Sequence, residues 1–373
     1  MSVALDDAER RRLGETFRAL CRIPSPTGSE RGVADWLTAE LGALGLAVSE
    51  DDAGRAAGAD AGNLLVRIPG RSERWIVLCA HMDTVPPVAP LEPVLSGGGY
   101  QNAQPGILGA DNKAAVAALV EVARRYAHRP PPVGIELLFT ISEETGLHGA
   151  KAFDVARLNA RMGYVFDHAT PLGEIVVVSP TYMRIRADIR GRAAHAGLHP
   201  ERGVNAIVAA AAAITALPQG RLDAETTANV GLVSGGSATN VVADRCQVEC
   251  EVRGIDPSRV DSVVTQSVDA FQDAADGAGC DLDIQLERMF GGYRVRPGEP
   301  TLVLAERALS DLGYTPRRII SGGGSDANAL RLAGLEVMNL ANGTERAHER
   351  TERVSLTALE DGLALALNLV ELA

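Results

Sequence analysis

The sequence has no long apolar run and no cluster of basic residues. No stretch approaches the roughly 18 apolar residues that a membrane-spanning helix needs, and the first twelve residues lack the apolar core of a signal peptide. The 373 residues include 36 Lys and Arg against 48 Asp and Glu, a formal net charge of −12. Because an acidic chain without a basic patch repels phosphate backbones, we expect neither nucleic acid nor membrane as a partner.

Cysteine is also scarce, and the five present are Cys21, Cys79, Cys246, Cys250 and Cys280. An odd number of cysteines in helical or strand-like segments indicates reduced, buried thiols rather than a disulfide framework. Cys246 and Cys250 are four residues apart, but the residues between them alternate as in a strand, which argues against a zinc pair there. The sequence therefore predicts a cytoplasmic protein.

The length and the order of apolar segments predict an α/β fold with two domains. A chain of 373 residues, 46% of them apolar, exceeds the size that one core usually supports. Short apolar segments at 63–69, 75–79, 134–141 and 161–166 alternate with helical ones, which indicates a mostly parallel sheet flanked by helices. Residues 86–108, rich in Gly and Pro, are expected to form a long loop.

The pattern changes after residue 179. Residues 184–190 alternate polar and apolar, and the segments that follow are typical of β-α-β-β-α-β order, the arrangement of a small α+β domain. Near residue 291 the chain returns to the first pattern. We therefore predict a discontinuous domain, 1–179 and 292–373, with an inserted α+β domain at 180–291.

Polar residues follow the predicted buried strands. In open α/β sheets the carboxyl ends of the strands are where ligands bind. His81 and Asp83 come directly after the strand at 75–79, and a two-residue spacing on extended chain puts both side chains on one side. A lone His there would most often be bound to backbone. Because acids end the other strands too, His81 is predicted to present a ring nitrogen to a metal while Asp83 supports it.

The adjacent acids Glu143 and Glu144 also favour a metal site. Two neighbouring buried carboxylates repel each other unless positive charge lies beside them, and a divalent metal supplies it. One can ligate while the other acts as general base on a water. An exposed Glu pair at a helix start is the alternative. Likewise Asp111, in the first turn of a helix, is either an ordinary N-cap or a carboxylate that bridges two metals.

Together these positions form a set of nitrogen and oxygen ligands without sulfur. Such a set favours zinc, with cobalt and manganese as alternatives. The set comprises two histidines and the acids that end strands or begin a helix: His81, Asp111, Glu143, Glu144, Asp167 and His348.

At these motifs the sequence resembles the dinuclear-zinc metallopeptidases that include peptidase T, carboxypeptidase G, acetylornithine deacetylase and succinyl-diaminopimelate desuccinylase. Each motif is weak alone, but their order covers nearly the whole chain. They are IPSPTG at 23–28, AHMDTV at 80–85, GADNK at 109–113, SEETG at 142–146, AHAG at 194–197, TNVV at 239–242, GGSDA at 323–327, and His348.

The resemblance implies two metal ions with a shared ligand. It assigns His81, Asp111 and Asp167 to one metal, and Asp111, Glu144 and His348 to the other. It also implies that Glu143 is the general base that activates the water and that Asp83 supports His81. A cis peptide bond is expected between Asp111 and Asn112.

The resemblance further implies that the inserted domain is a lid and a homodimer interface. His195 matches the lid histidine that stabilises the oxyanion, and Asn240 and Arg253 match residues that hold the substrate carbonyl or carboxylate. Ser325 and Asp326 lie in a glycine-rich loop that lines the substrate pocket in the family.

Within the family, the Asp at position 167, where many deacylases and carboxypeptidases have Glu, resembles enzymes that act at a free amino terminus. We therefore predict a peptidase T-like aminopeptidase for small peptides. Residues 342–347, NGTERA, depart from that pattern. The alternatives are an N-acyl-amino-acid deacylase or a carboxypeptidase. A non-catalytic binding protein is disfavoured because every ligand position, Glu143 and His195 are present.

Overall fold

The computed structural model describes residues 3–373, so residues 1 and 2, which the predicted first domain includes, lie outside the described residues. The chain divides into two compact units. Unit 1 runs to Val178 and resumes over Arg294–Ser321 and Ser325–Ala373, and unit 2 comprises Ser179–Tyr293 and Gly322–Gly324. The sequence prediction places residues 179, 292–293 and 322–324 in the first domain instead.

The strands of residues 3–373 are β1 Val48–Glu50, β2 Leu64–Ile68, β3 Trp75–His81, β4 Pro93–Ser96, β5 Gly99–Asn102, β6 Gly134–Thr140, β7 Met162–His168, β8 Glu174–Ser179, β9 Thr181–Arg190, β10 Gly220–Arg221, β11 Thr226–Gly235, β12 Arg245–Gly254, β13 Asp281–Phe290, β14 Tyr293–Arg294, β15 Arg317–Ile320, β16 Glu336–Ala341, β17 Thr344–Glu345 and β18 Arg353–Ser355.

The α-helices of the same residues are α1 Asp7–Cys21, α2 Arg31–Ala43, α3 Ala53–Ala57, α4 Ala110–Tyr126, α5 His148–Ala152, α6 Ala206–Ala216, α7 Pro257–Ala278, α8 Pro300–Asp311, α9 Asp326–Leu332 and α10 Leu356–Leu372. Their ends follow ordinary sequence signals. Helix α7, for example, begins with the Asp256 side chain accepting the Ser258 N–H and ends at Gly279, whose φ of 72° lies in the left-handed region.

The large sheet of the described chain has the strand order β1-β2-β6-β3-β7-β16-β8-β14, with β15 paired to β8. Its centre is parallel: β3 runs parallel to β6 and β7, and β16 runs parallel to β7. Strand β6 is buried along its whole length, as expected for an apolar strand covered on both faces. The prediction of a mostly parallel sheet flanked by helices is confirmed, with antiparallel pairs at β1–β2–β6 and β16–β8.

Unit 2 contains a five-stranded antiparallel sheet in the order β10-β11-β12-β9-β13. Strand β12 alternates buried and more exposed residues, so one face carries Cys246, Val248, Cys250 and Val252. Helices α6 and α7 pack with that face into a single core. This α+β unit has the element order predicted from the sequence, with the short strand β10 added.

The prediction of a structureless loop at 86–108 is wrong in part. Strands β4 and β5 form a hairpin there, and β5 pairs with β18 in a four-stranded sheet. The hairpin turns at Gly97 and Gly98, whose φ angles of 56° and 75° suit a tight two-residue turn. Sequence reasoning missed it because β18, the partner of β5, lies about 250 residues further along the chain.

No helix within residues 3–373 combines the length and the apolar character needed to cross a bilayer.

The close pairing of β3 with β7 makes Gly163 a sensitive position. A Cβ at Gly163 would lie 2.1 Å from the carbonyl oxygen of Val77 on the neighbouring strand. We expect Gly163→Ala to lower the free energy of unfolding by about 1–3 kcal/mol or more, because the strands must separate to admit the methyl group. Urea unfolding followed by circular dichroism measures it.

The matched control is Gly362→Ala in α10, where an added Cβ meets nothing within 4 Å. That variant should be stabilised by up to about 1 kcal/mol, because Gly is a poor residue in a helix interior. Equal stability of the Gly163→Ala variant and the wild type would contradict the packing described for β3 and β7.

Candidate active site

Three neighbouring parallel strands of unit 1 end at the same edge of the sheet. In register, His81 at the end of β3 lies opposite Thr140 at the end of β6, and β7 on the other side carries Asp167 near its end. The chain after β6 enters the loop that contains Glu143 and Glu144. The parallel sheet therefore brings together one histidine and three acids from distant parts of the sequence.

Two groups of potential metal ligands meet at this edge, among the residues that the structure describes. One contains His81, Asp111 and Asp167, and the other Asp111, Glu144 and His348, with the ligand atoms of each group within 4.8 Å of one another. Asp111 belongs to both groups. Its Oδ1 lies 3.6 Å from His81 Nε2 and its Oδ2 lies 3.6 Å from His348 Nε2. This arrangement suits a carboxylate that bridges two cations.

The orientation of the His81 ring is set by the residue two positions further along. Its Nδ1–H donates to the carbonyl oxygen of Asp83 at 2.9 Å and lies 3.3 Å from that residue's Oδ1. A ring protonated at Nδ1 has its lone pair at Nε2, which faces Asp167 at 3.2 Å. His81 therefore presents Nε2 to the ligand group, in the way that metal-binding histidines are usually held.

Asp83 also holds the loop that carries the two glutamates. Its Oδ1 accepts the Glu143 backbone N–H at 3.0 Å, and its Oδ2 accepts the Glu144 N–H at 3.2 Å. The hydroxyl of Thr27 donates to the same Oδ2 at 2.7 Å. A single buried carboxylate thus connects the ends of two strands, so its role is wider than the support of His81 that the sequence predicts.

Three further buried polar residues adjoin the ligands, and sequence reasoning did not single them out. Glu30 accepts the Ser142 N–H at 3.0 Å, Asn339 accepts the Asp167 N–H at 3.1 Å, and Glu352 accepts the Asp111 N–H at 2.9 Å. Their partners lie 112, 172 and 241 positions away. No local motif marks such contacts, because only the folded chain brings the pairs together.

The electrostatics of the edge reflect crowded negative charge. Burial raises the pKa of Asp167 to about 7, against the charge of His81. Burial, together with the charge of Asp167, raises the pKa of Glu143 well above its usual value. The hydrogen bond to Glu144, with the charges of Glu144 and Asp111, raises the pKa of His348 to about 9. The raised pKa values of Asp167 and Glu143 reflect burial beside other acids, and a bound cation would favour their ionised forms.

The residues fit a pair of divalent metal ions. The buried Oδ1 of Asp111 has no hydrogen-bond partner in the described part of the chain, as expected for an oxygen reserved for a metal. The other donors are imidazole nitrogens and carboxylate oxygens, which suit zinc and similar cations. The expected cis peptide bond between Asp111 and Asn112 is also present.

His195 and Asn240 lie in unit 2, on exposed segments that pair with each other. The Ala196 N–H donates to the Asn240 carbonyl at 2.9 Å, and His195 forms a bridge with Val241. The Nδ1 of His195 accepts the backbone N–H groups of Gly197 and Leu198, both at 3.2 Å. A neutral ring with Nδ1 as acceptor carries its proton on Nε2, so His195 can donate from that nitrogen to a developing negative charge.

Arg253 is more constrained than the sequence suggests. Its guanidinium donates to both carboxylate oxygens of Glu251, at 3.2 and 3.1 Å, and to the Gly322 carbonyl at 3.3 Å. It also stacks 4.3 Å above the ring of Tyr182. A substrate carboxylate would therefore compete with Glu251 for this arginine, and its predicted role remains a prediction.

Ser325 and Asp326 are both buried at the start of α9. The Ser325 backbone N–H donates to Asn328 Oδ1 at 3.0 Å, and Asp326 accepts a hydrogen bond from the Thr140 hydroxyl. Ser325 therefore helps to begin the helix. The other carboxylate oxygen of Asp326 is buried without a hydrogen-bond partner in the described chain. The Ser325 hydroxyl is likewise buried without a hydrogen-bond partner in the described chain, and substrate contact by both residues stays a prediction.

Two family profiles match the chain. The profile described as Peptidase dimerisation domain matches residues 180–278, which lie in unit 2. The profile described as Peptidase family M28 matches residues 63–200, which include His81, Asp111, Glu144 and Asp167.

Similar proteins of known structure cover almost the whole chain. An aminopeptidase PepT from Bacillus cereus is 37% identical over 97% of this chain and 98% of its own, with a TM-score of 0.85. A tripeptidase from Staphylococcus aureus is 36% identical with the same coverage and a TM-score of 0.90. The uncharacterized protein YqjE from Bacillus subtilis is 36% identical over 97% of this chain and 98% of its own.

The fold, the shared ligand groups and these relatives define a metallopeptidase. Within that class, the chain belongs to the peptidase T-like family.

The contacts of Asp83 generate a test of the site. We expect Asp83→Asn to weaken metal binding by about 10- to 100-fold. An amide has one acceptor oxygen and two N–H groups, so it cannot accept both glutamate amides and the Thr27 hydroxyl. Competition between the protein and a chromogenic chelator for zinc measures the affinity. The exposed Asp52→Asn variant should bind zinc with wild-type affinity. A wild-type zinc affinity for Asp83→Asn would contradict the proposal that Asp83 holds the loop of Glu143 and Glu144 in place.

Proposed function

We propose that the protein is a two-metal aminopeptidase that releases the amino-terminal residue of small peptides. The observation that carries this proposal is the position of Asp111, whose two oxygens face one histidine each and complete two ligand groups. A site that holds two cations side by side suits hydrolysis of an unreactive amide bond.

In this proposal His81, Asp111 and Asp167 hold one metal, and Asp111, Glu144 and His348 hold the other. Zinc suits the nitrogen and oxygen donors, with cobalt or manganese as alternatives. When bound, the metals supply Lewis acidity, which lowers the pKa of a water and polarises the scissile carbonyl.

Glu143 acts in the proposal as general base and then as general acid. Its carboxyl lies in the loop that Asp83 holds through the backbone amides of Glu143 and Glu144. Burial raises its pKa well above the usual value, which suits a group that takes a proton from water and returns it to the leaving amine. Asp83 fixes the loop and so keeps Glu143 in place for both transfers.

The preference for the amino end rests on relatives and on one ligand. The two solved relatives at 36–37% identity are named an aminopeptidase and a tripeptidase. Asp167 lies near the end of β7. In the family that the sequence resembles, many deacylases and carboxypeptidases have Glu at this position. His195, with its Nε2–H as donor, is the proposed stabiliser of the oxyanion, and Asn240 and Arg253 are the proposed substrate contacts.

We also propose a homodimer and a cytoplasmic location. The match to a dimerisation domain and the exposed Leu232 and Val233 of β11, 65% and 60% accessible, support association through unit 2. All five cysteines are free and buried, which supports a reducing compartment.

A substrate panel tests the reaction. Free di- and tripeptides, amino-blocked and carboxyl-blocked versions, and N-acetyl amino acids would be offered to the chelated enzyme with zinc, cobalt or manganese restored. We expect metal-dependent release of the first residue from free and carboxyl-blocked peptides only, because the site is proposed to require a free amino terminus. Chromatography of the products identifies the bond that is cut. Cleavage confined to N-acetyl amino acids would show a deacylase instead.

The role of Glu143 has its own test. We expect Glu143→Gln to lower kcat by about 10²- to 10⁴-fold while both metals still bind, because the amide cannot take the proton. Glu144→Gln should instead lose one metal. The exposed Glu349→Gln serves as the unaffected control. Metal content by atomic emission and peptide hydrolysis are measured on the same samples, and near-wild-type turnover of Glu143→Gln would exclude it as the base.

A further inference from the structure

Glu352 is a buried carboxylate that receives three backbone N–H groups from the loop before α4. Its Oε2 accepts from Leu108 at 2.6 Å and Gly109 at 2.8 Å, and its Oε1 accepts from Asp111 at 2.9 Å. The residue is only 2% exposed. A carboxylate buried this deeply is retained only where hydrogen bonds replace its lost hydration, and here both oxygens are bound by the same loop.

These amides belong to the segment that enters α4, where Asp111 and Asn112 have non-helical backbone angles, so regular helical hydrogen bonds do not satisfy them. Gly109 is the N-cap of α4 and has no side-chain cap of its own, so Glu352 provides it from a distant part of the chain. The result is that the backbone position of Asp111 depends on Glu352.

The same residue fixes the segment that carries His348. Glu352 follows His348 by four positions, and its own N–H donates to the Glu349 carbonyl at 3.1 Å. The Gly106 N–H donates to the Arg350 carbonyl at 2.9 Å, which adds a second link between the two segments. His348 itself has a φ of 66°, in the left-handed region that a histidine rarely adopts without support.

The two ligand groups therefore differ in what holds them. His81 and Asp167 lie on strands of the parallel sheet, and Asn339 holds the Asp167 backbone at both its N–H and its carbonyl. His348 lies on a loop and Asp111 lies in the non-helical first turn of α4, and Glu352 connects the two segments. Removal of Glu352 should loosen the second group more than the first.

We propose that Glu352 is a positioning residue for the metal held by Asp111, Glu144 and His348. It sets the distance between the shared aspartate and His348 through the backbone of both segments. This inference rests on the proposed two-metal function, and it concerns a residue that contacts neither the substrate nor a metal.

The test uses Glu352→Gln, since the amide keeps the size of the side chain but turns an NH₂ group toward backbone N–H donors. Cobalt(II) is titrated into the metal-free full-length protein, and its visible absorption and the bound stoichiometry are recorded. We expect wild type to bind two cobalt ions and the variant to bind the second about 10- to 100-fold more weakly. Glu349→Gln, on the same segment but exposed, should match wild type.

A double-mutant cycle that combines Glu352→Gln with His348→Ala identifies which metal ion is bound more weakly when Glu352 is replaced. His348→Ala alone should lose the second cobalt. Adding Glu352→Gln to it should weaken the remaining ion by clearly less than about tenfold, because only Asp111 of that ion's three ligands depends on Glu352, while His81 and Asp167 lie on the sheet. If the affinity for the remaining cobalt ion falls strongly in the double variant, Glu352 does not act selectively on the second metal. Tight binding of two cobalt ions by the single variant Glu352→Gln would also overturn the proposal.

Two outcomes keep this inference separate from the proposed function. A wild-type protein that does not bind two ions contradicts the proposed function, whereas tight binding of two ions by both wild type and Glu352→Gln contradicts only the role of Glu352. If Glu352→Gln fails to fold, Glu352→Asp keeps the charge at the start of α4 on a shorter side chain. It should fold and still weaken the second ion, and an unchanged affinity would overturn the inference.

Discussion

Negative charge gathered at one edge of a parallel sheet is the constraint around which unit 1 is arranged. The strand ends and their loops place Asp111, Glu144 and Asp167 next to one another, and mutual repulsion opposes this unless cations and hydrogen bonds offset it. Burial and the negative charge of neighbouring acids raise the pKa of both Asp167 and Glu143, in keeping with that repulsion. A site of this kind gains stability when divalent metal binds, because the cation favours the ionised form of the acids whose pKa is raised.

A second set of carboxylates keeps the loops of the site in place. Glu30, Asp83 and Glu352 are each buried, and each accepts backbone N–H groups from a loop that carries or precedes a ligand. Backbone amides satisfy a buried carboxylate without adding another charge. The ligand loops are thereby held before any metal or substrate arrives, which is the preorganisation that a hydrolytic site requires. The other two candidate ligands, His81 and Asp167, are held in place because β3 and β7 pair with neighbouring strands through backbone hydrogen bonds.

Sequence reasoning was effective where a signal is local. Continuous apolar segments identified the buried strands, and the polar residues after them are candidate metal ligands that the structure brings together. It was less effective where a residue's partner is remote. The hairpin of β4 and β5 was expected to be loop, because its pairing with β18 has no local signature. The resemblance assigns Arg253 to the substrate carbonyl or carboxylate, but in the structure Glu251 and Tyr182 already contact its guanidinium.

By itself, the sequence determined the α/β fold, the inserted α+β unit and the residue types that can hold two metals, since apolar periodicity and short motifs depend on neighbours along the chain. Only the tertiary structure decided how those residues are held. The two oxygens of Asp111 face different histidines, and Asp83 and Glu352 bind loops far from them in sequence, up to 244 positions for Glu352 and Leu108. Such contacts have no pattern in the sequence, because a hydrogen bond needs only proximity in space, and the folded sheet and helices create that proximity.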